Sequence, residues 1–193
     1  MHVASLHARN PGELFCALGA WGARAPGRLD QRGRQKELDR WVLNKILLAR
    51  NGAGTVAFPV TVRDSEAPDF NIREGETRYG LEVVEAVDHD EQAWRTKQAR
   101  EHDGRGYSIP RKFTNGNRSR GLVHDRIRMK SEKGYPDGTH LAIYLRSYDP
   151  MLLSAGELLD RVLPLPSCAE RFPEIWLVRP SILLELKSRQ IIA

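Results

Sequence analysis

The chain has 193 residues, of which 40% are hydrophobic and 28% are charged, and its formal net charge is +5. This length and composition are typical of one globular domain that is large enough to bury its own core. The two cysteines, Cys16 and Cys168, lie far apart, which argues against a disulfide framework or a Cys/His zinc site. Because no apolar run approaches the ~20 residues of a membrane span and no signal peptide is recognisable, the sequence predicts a cytoplasmic protein without a membrane partner.

The positive charge is concentrated in one part of the chain. Residues 90–133 contain 12 Lys/Arg and 6 Asp/Glu, so this stretch carries +6 and the remainder carries about −1. A local basic surface of this kind suits a polyanion such as nucleic acid. The alternative is a solvated face whose charges form salt bridges with one another.

The amino-terminal residues are difficult to assign. Residues 1–34 are rich in Gly, Ala, Arg and Pro, and we interpret them as an arm with a short helix over residues 13–19. Residues 35–193 would then form one α/β domain. Its first helix, over residues 35–49, is the clearest element because its apolar residues recur at steps of three and four.

Periodicity and turn residues predict the remaining elements. We expect a helix over residues 88–102, a mobile basic loop over 104–121, and further helices over 122–133 and 155–163, the last with a capping box from Ser154 to Glu157. Strands are expected over residues 55–62, 69–72, 78–87, 140–148, 172–178 and 181–192. An antiparallel meander followed by alternating helices and strands predicts an α/β fold with a mixed central β-sheet flanked by helices.

One stretch, from Pro68 to Glu85, combines an apolar strand with acidic residues. Asp69 lies before a predicted turn, and Glu82 and Glu85 lie in the apolar run after it. A carboxylate in a buried strand is unfavourable unless it is paired or bound to a metal ion. Two acids brought together by a hairpin therefore predict a divalent-metal site, and strand-edge charges paired with basic residues are the alternative.

The order of these acidic residues resembles a known family. A helix acid (Glu37), the dipeptide Pro68-Asp69 and Glu82 in an apolar strand are similar to the motif of the PD-(D/E)xK nuclease superfamily, which has the restriction-endonuclease-like fold. The resemblance covers residues 35–178. It implies a restriction-endonuclease-like α/β sandwich and a phosphodiester hydrolase that requires Mg²⁺ or Mn²⁺.

The chain departs from this motif at one position. The family places a lysine two residues after the second acid, where this sequence has Val84, whose side chain shares a strand face with that of Glu82. Lys97 or Lys130, on the two following helices, could supply the missing amine. Glu85 would point to the opposite face and could join the site only through a bulge, or it could pair with an arginine instead.

The resemblance implies a metal-dependent endonuclease that acts on nucleic acid, with DNA as the expected substrate. Asp69 and Glu82 would hold the metal ion, and Glu37 would order its outer shell or a second ion. The residues expected to bind the nucleic-acid backbone are Arg111, Lys112, Arg118, Arg120 and Arg126. The alternative function is a catalytically inactive nuclease-like module that binds nucleic acid or protein, and a homodimer stays open.

Overall fold

A computed structural model describes residues 5–22, 35–102, 109–113, 118–147 and 153–192, with only the backbone described at residues 99, 100 and 102. The strands are β1 (Ser5–Ala8), β2 (Val60–Asp64), β3 (Phe70–Glu74), β4 (Thr77–Ala86), β5 (His140–Leu145), β6 (Ile175–Arg179), β7 (Ile182–Glu185) and β8 (Gln190–Ile191). The α-helices are α1 (Pro11–Gly22), α2 (Gln35–Gly52), α3 (His89–His102), α4 (Arg118–Ser131) and α5 (Ala155–Val162). Within these ranges no helix is both long enough and apolar enough to cross a membrane.

The strands form one mixed sheet whose spatial order follows the order of the chain, from β1 to β8. Strands β1 to β4 are antiparallel, β4, β5 and β6 are parallel, and β6 to β8 are antiparallel again. Strand β4 therefore joins an antiparallel meander to a parallel centre. The predicted α/β fold, with a mixed sheet flanked by helices, is confirmed.

Two apolar layers cover the sheet, one on each face. Helix α1 packs on β1, helix α2 packs across β4–β7, and together they contribute Leu14, Leu18 and Leu43 to the first layer. Helices α4 and α5 pack on β4–β7 and form the second layer. Because strand side chains alternate, β4 contributes Leu81 and Val83 to the first layer and Val84 and Ala86 to the second.

Residues 5–22 are part of the core, whereas the sequence predicted an arm over residues 1–34, of which 1–4 and 23–34 lie outside the described residues. Strand β1 pairs with β2, and its Leu6 and Ala8 are buried. Helix α1 is longer than the predicted helix over residues 13–19 and begins with a capping arrangement, in which the Glu13 backbone N–H donates to Asn10 Oδ1 at 2.9 Å. The sequence did not predict β1 because a strand of four residues with two apolar side chains is too short to show a periodic pattern.

Several boundaries also differ from the prediction. Strand β2 begins at Val60, directly after Pro59, because proline has no N–H to give to a strand ladder. Of the predicted basic loop, residues 104–108 and 114–117 lie outside the described residues, Arg111–Phe113 forms a 3-10 turn, and α4 begins at Arg118. The predicted last strand is two short strands, β7 and β8.

Candidate active site at the junction of the two sheet halves

Asp69 lies immediately before β3 and beside the middle of β4. Phe70 pairs with Leu81, so Asp69 sits next to Glu82 and Val83, and its Oδ2 accepts the Val83 backbone N–H at 2.9 Å. Pro68 reaches this position because residue 80 is glycine: a Cβ on Gly80 would lie 2.4 Å from Pro68 Cγ. The close packing of Pro68 on Gly80 therefore positions the Asp69 carboxylate.

Glu82 forms a buried ion pair with Lys130 of α4. Only 5% of Glu82 and 8% of Lys130 are exposed, and Lys130 Nζ donates to Glu82 Oε1. Glu82 Oε2 is buried and has no hydrogen bond of ordinary geometry among the described residues, although the Tyr135 hydroxyl lies close enough to interact with Glu82. Because a buried carboxylate oxygen is unfavourable without a partner, the Tyr135 hydroxyl, a water molecule or a cation could satisfy Glu82 Oε2.

A second lysine, Lys36, contacts both the backbone and the carboxylate of Asp69. Lys36 Nζ, from the first turn of α2, donates to the backbone oxygens of Ser65 at 2.8 Å and Asp69 at 2.9 Å, and it lies 3.5 Å from Asp69 Oδ1. Burial raises the pKa of Asp69; the Val83 N–H opposes this rise, the Glu82 charge adds to it, and the Lys36 and Lys130 charges oppose it. Two carboxylates and two ammonium groups thus form one electrostatic cluster.

Asp39 is a member of this cluster that the sequence analysis missed. The pKa of Asp39 is raised to about 7, chiefly by burial and also by the Asp69 and Glu82 charges, while the Gln35 hydrogen bond and the Lys36 charge oppose the rise. Asp39 lies three residues before Val42 and seven before Ile46, so its place on the apolar stripe of α2 was the available signal. Glu37, the predicted acid of this helix, is exposed.

Tyr135, in the loop after α4, closes the cluster from another side. Its side chain is buried, and its hydroxyl has no hydrogen-bond partner of ordinary geometry among the described residues. Burial raises the pKa of Tyr135, and a hydrogen-bonding interaction with Glu82 and the Glu82 and Asp69 charges also raise it. The neutral hydroxyl therefore faces the same carboxylates that α2 and α4 approach.

The other predicted catalytic residues lie apart from this cluster. Lys97 is exposed on α3, where its Nζ lies 3.8 Å from Glu101 Oε1. Of the two candidate lysines, Lys130 is the one whose amine reaches Glu82. Glu85 accepts a hydrogen bond from Arg146 at 2.9 Å, in agreement with the predicted alternative of a pairing with an arginine.

The predicted backbone-binding residues fall into two groups. Arg118 forms an ion pair with Asp88, and Arg126 Nε donates to the Glu85 carbonyl oxygen at 2.9 Å. Three others are exposed: Arg111, Lys112 and Arg120. Arg118 precedes Lys130 by twelve residues, or ~18 Å along α4, so the amino-terminal part of this helix lies well away from Glu82.

Asp69 and Glu82 are the two carboxylates of the cluster that could hold a metal ion. No group of three or more His, Cys, Asp or Glu side chains that could hold a metal occurs in the described part of the chain. Mg²⁺ commonly binds only one or two protein carboxylates and takes its other ligands from water and phosphate. Asp69 and Glu82 offer two carboxylates for such an ion, although Lys36 and Lys130 already interact with them.

The fold and the cluster define an α/β protein with a mixed sheet and a carboxylate–lysine site at the strand that joins its two halves. Comparisons with protein-family models, with curated proteins and with solved structures find no match to this chain.

Proposed function

We propose that this protein is a metal-dependent nuclease that hydrolyses phosphodiester bonds, with DNA as the expected substrate. One observation carries the proposal: Asp69 and Glu82, from the two arms of one hairpin, lie side by side next to the buried amine of Lys130, which comes from a distant helix. Lys130 supplies from α4 the amine that the PD-(D/E)xK pattern places at position 84. The Val84 side chain packs in the apolar layer under α4 and α5, so position 84 itself provides no charged group.

The proposed chemistry assigns each side chain a distinct task. Asp69 and Glu82 would hold Mg²⁺ or Mn²⁺, which when bound supplies an activated water and neutralises charge on the phosphate. Lys130 Nζ would donate a hydrogen bond to the attacking water or to a phosphate oxygen. Asp39, with a pKa raised to about 7, can accept a proton near neutral pH.

An inactive nuclease-like binding module is the second candidate. The observation in its favour is the Glu82–Lys130 ion pair, which occupies one of the carboxylate oxygens that a metal ion would use. Such a module would bind nucleic acid or protein without turnover.

The test compares the wild type with the isosteric variants Asp69→Asn and Glu82→Gln. Each is incubated with DNA and, separately, RNA in the presence of Mg²⁺, Mn²⁺ or EDTA, and cleavage is followed on denaturing gels. We expect cleavage by the wild type with metal only and a loss of at least ~100-fold in both variants. Glu170→Gln, whose side chain is 84% exposed, is the matched control and should cleave normally. Undiminished cleavage by both site variants would contradict the proposal, and wild-type binding without cleavage under every metal condition would favour the inactive module.

A further inference from the structure

One face of the antiparallel meander is covered by none of the helices in the described part of the chain. In β1, β2 and β3 the apolar side chains point to α1 and α2, so the residues between them point to the opposite face of the sheet. On this outer face the side chains are exposed or half-buried, and they are polar. They are Ser5, His7, Thr61, Arg63, Asn71, Arg73 and Arg78, with Gly80 beside them. We refer to these eight residues as the meander face.

The meander face carries only positive formal charge. Arg63, Arg73 and Arg78 come from three successive strands, and its eight residues include no carboxylate. Among the described residues, no carboxylate lies within ion-pair distance of Arg63 or Arg78, and Arg73 is 3.7 Å from a carboxylate, that of Glu76, which is 98% exposed. The face therefore has unneutralised positive charge to offer to an anionic partner.

The strand register works against stability at this place. Arg73 and Arg78 are direct cross-strand partners in the β3–β4 hairpin. Like charges directly opposite each other destabilise a sheet. A partner that carries negative charge would remove this repulsion, which suggests that the pair serves binding rather than folding.

The meander face leads directly to the carboxylate cluster. Arg78, Gly80 and Glu82 alternate along β4 and so share one side of the sheet. Four residues of strand correspond to ~13 Å, or about four base-pair steps of a DNA strand. A groove of about 520 Å³, lined by Arg63, Arg73, Arg78 and, across from them, Pro136 and Asp137, occupies this side. The loop that holds Pro136 and Asp137 follows Tyr135, which faces Glu82.

We propose that the meander face binds the phosphate backbone of a nucleic acid and guides it to the Asp69–Glu82–Lys130 cluster. The choice of nucleic acid among polyanions rests on the proposed nuclease function. Guanidinium groups suit phosphate because their planar array of donors matches its oxygens. The face has none of the large exposed apolar side chains that anchor membrane-bound or protein-bound surfaces; those of the described residues are Phe15, Ile109, Met129 and Ile191.

The proposal differs from the sequence-based expectation in where the backbone binds. The residues expected from the sequence lie on and before α4, where Arg118 and Arg126 already have partners within the protein. The meander face approaches Glu82 from the opposite end of β4. Contacts there would be independent of base sequence because they reach phosphate only.

The test measures equilibrium binding in EDTA, so that it is independent of cleavage. The wild type and Arg63→Gln/Arg73→Gln/Arg78→Gln are titrated into fluorescein-labelled duplex and single-stranded DNA, and anisotropy is recorded at several salt concentrations. We expect the triple variant to bind at least ~10-fold more weakly and to lose about two to three units of the slope of log K against log [salt], as three lost phosphate contacts require. Lys45→Gln/Arg161→Gln/Arg189→Gln removes the same charge from α2, α5 and the β7–β8 turn and is the matched control.

The outcomes separate this proposal from the nuclease function. Equal weakening by the two triple variants would overturn the binding face, because only net charge would then matter. Wild-type affinity in the meander variant would also overturn it, even if Asp69→Asn abolishes cleavage. Selective weakening in the meander variant supports the face, even if no cleavage is found in any metal.

A melting temperature of the meander variant at or above that of the wild type, expected once the Arg73–Arg78 repulsion is gone, excludes a structural role of the three arginines. Binding to anionic lipid vesicles without binding to DNA would assign the face to a membrane surface and overturn the proposal.

Discussion

The two halves of the sheet are built differently. In the parallel centre, every residue of β6 is buried, and four of the six residues of β5 are fully buried, because helices cover both faces. In the meander, β2 and β3 alternate: Val60, Val62, Phe70 and Ile72 are buried, while the residues between them face outward. The parallel centre is therefore buried on both faces, whereas the described helices cover the meander on one face only.

The candidate site lies where these halves meet. Strand β4 pairs with β3 on one side and β5 on the other, and Leu81–Val84 are buried on both faces. Asp69 and Glu82 are thus surrounded by core on one side and lie next to the open meander face on the other. Such a boundary allows carboxylates to be desolvated and yet remain within reach of a substrate, which is a setting where perturbed pKa values often accompany function.

The largest expected effect comes from breaking the ion pair at this boundary. Lys130→Met leaves Glu82 buried without its partner and should lower the free energy of unfolding by about 3–5 kcal/mol. The double variant Glu82→Gln/Lys130→Met replaces the pair by neutral groups and should recover most of this loss, although it should not cleave. Urea denaturation measures both changes. If Lys130→Met is as stable as the wild type, the unpaired Glu82 carboxylate must be hydrated, and the site is then as accessible to water as the open meander face.

Helix α1 tests whether the amino-terminal segment belongs to the meander core. Leu14 is completely buried, so Leu14→Ala should lower the free energy of unfolding by about 2–5 kcal/mol. The adjacent Phe15 is 64% exposed, and Phe15→Ala should change the free energy of unfolding by less than about 0.5 kcal/mol. Thermal or urea unfolding distinguishes the two. Equal, small effects would mean that residues 5–22 are an arm after all.

Asp39 gives the site a pH dependence. The folded state raises its pKa from 3.8 to about 7, so the wild type loses stability as the pH rises through this interval, because the unfolded chain gives up the proton first. Asp39→Asn removes that loss. The variant should exceed the wild type by on the order of 2–3 kcal/mol above neutral pH, and the difference should vanish below about pH 4.

Unfolding in urea across this pH range gives the comparison for Asp39. The same substitution should reduce metal-dependent cleavage if Asp39 accepts a proton in the reaction. A stability difference that does not change with pH would mean that Asp39 is not titrating in the folded protein.

Gly80 has the smallest expected effect on stability but a direct effect on the site. Gly80→Ala would force its Cβ against Pro68, so we expect a loss of about 1–3 kcal/mol and a displaced Asp69. A Cβ on Gly121 of α4 would meet nothing within 4 Å, and Gly121→Ala should leave stability unchanged or raise it by up to about 1 kcal/mol. Melting temperatures test both, and metal-dependent cleavage by Gly80→Ala should fall more than its stability does. Normal cleavage by a folded Gly80→Ala variant would contradict the role assigned to Pro68.

Much of the fold was predictable because its signals are local. The apolar stripe of α2, the capping box at Ser154 and the apolar runs of β4 to β6 each depend on a few consecutive residues. Strand β1 was missed because its evidence lies in its partner β2 rather than in its own four residues. A pairing of Glu85 with an arginine was one alternative that the sequence left open, and only the structure identified Arg146 as its partner.

The sequence by itself determined the order of helices and strands from α2 onward, the mixed character of the sheet and the two acids that flank the hairpin, because periodicity and turn residues act over short distances. Only the tertiary structure decided that Asp39 rather than Glu37 approaches those acids, that Lys130 rather than Lys97 reaches Glu82, and that three arginines share an uncovered face. The first two relations join residues that are tens of positions apart, and the third depends on which face of the sheet the helices cover, so tertiary packing sets all three.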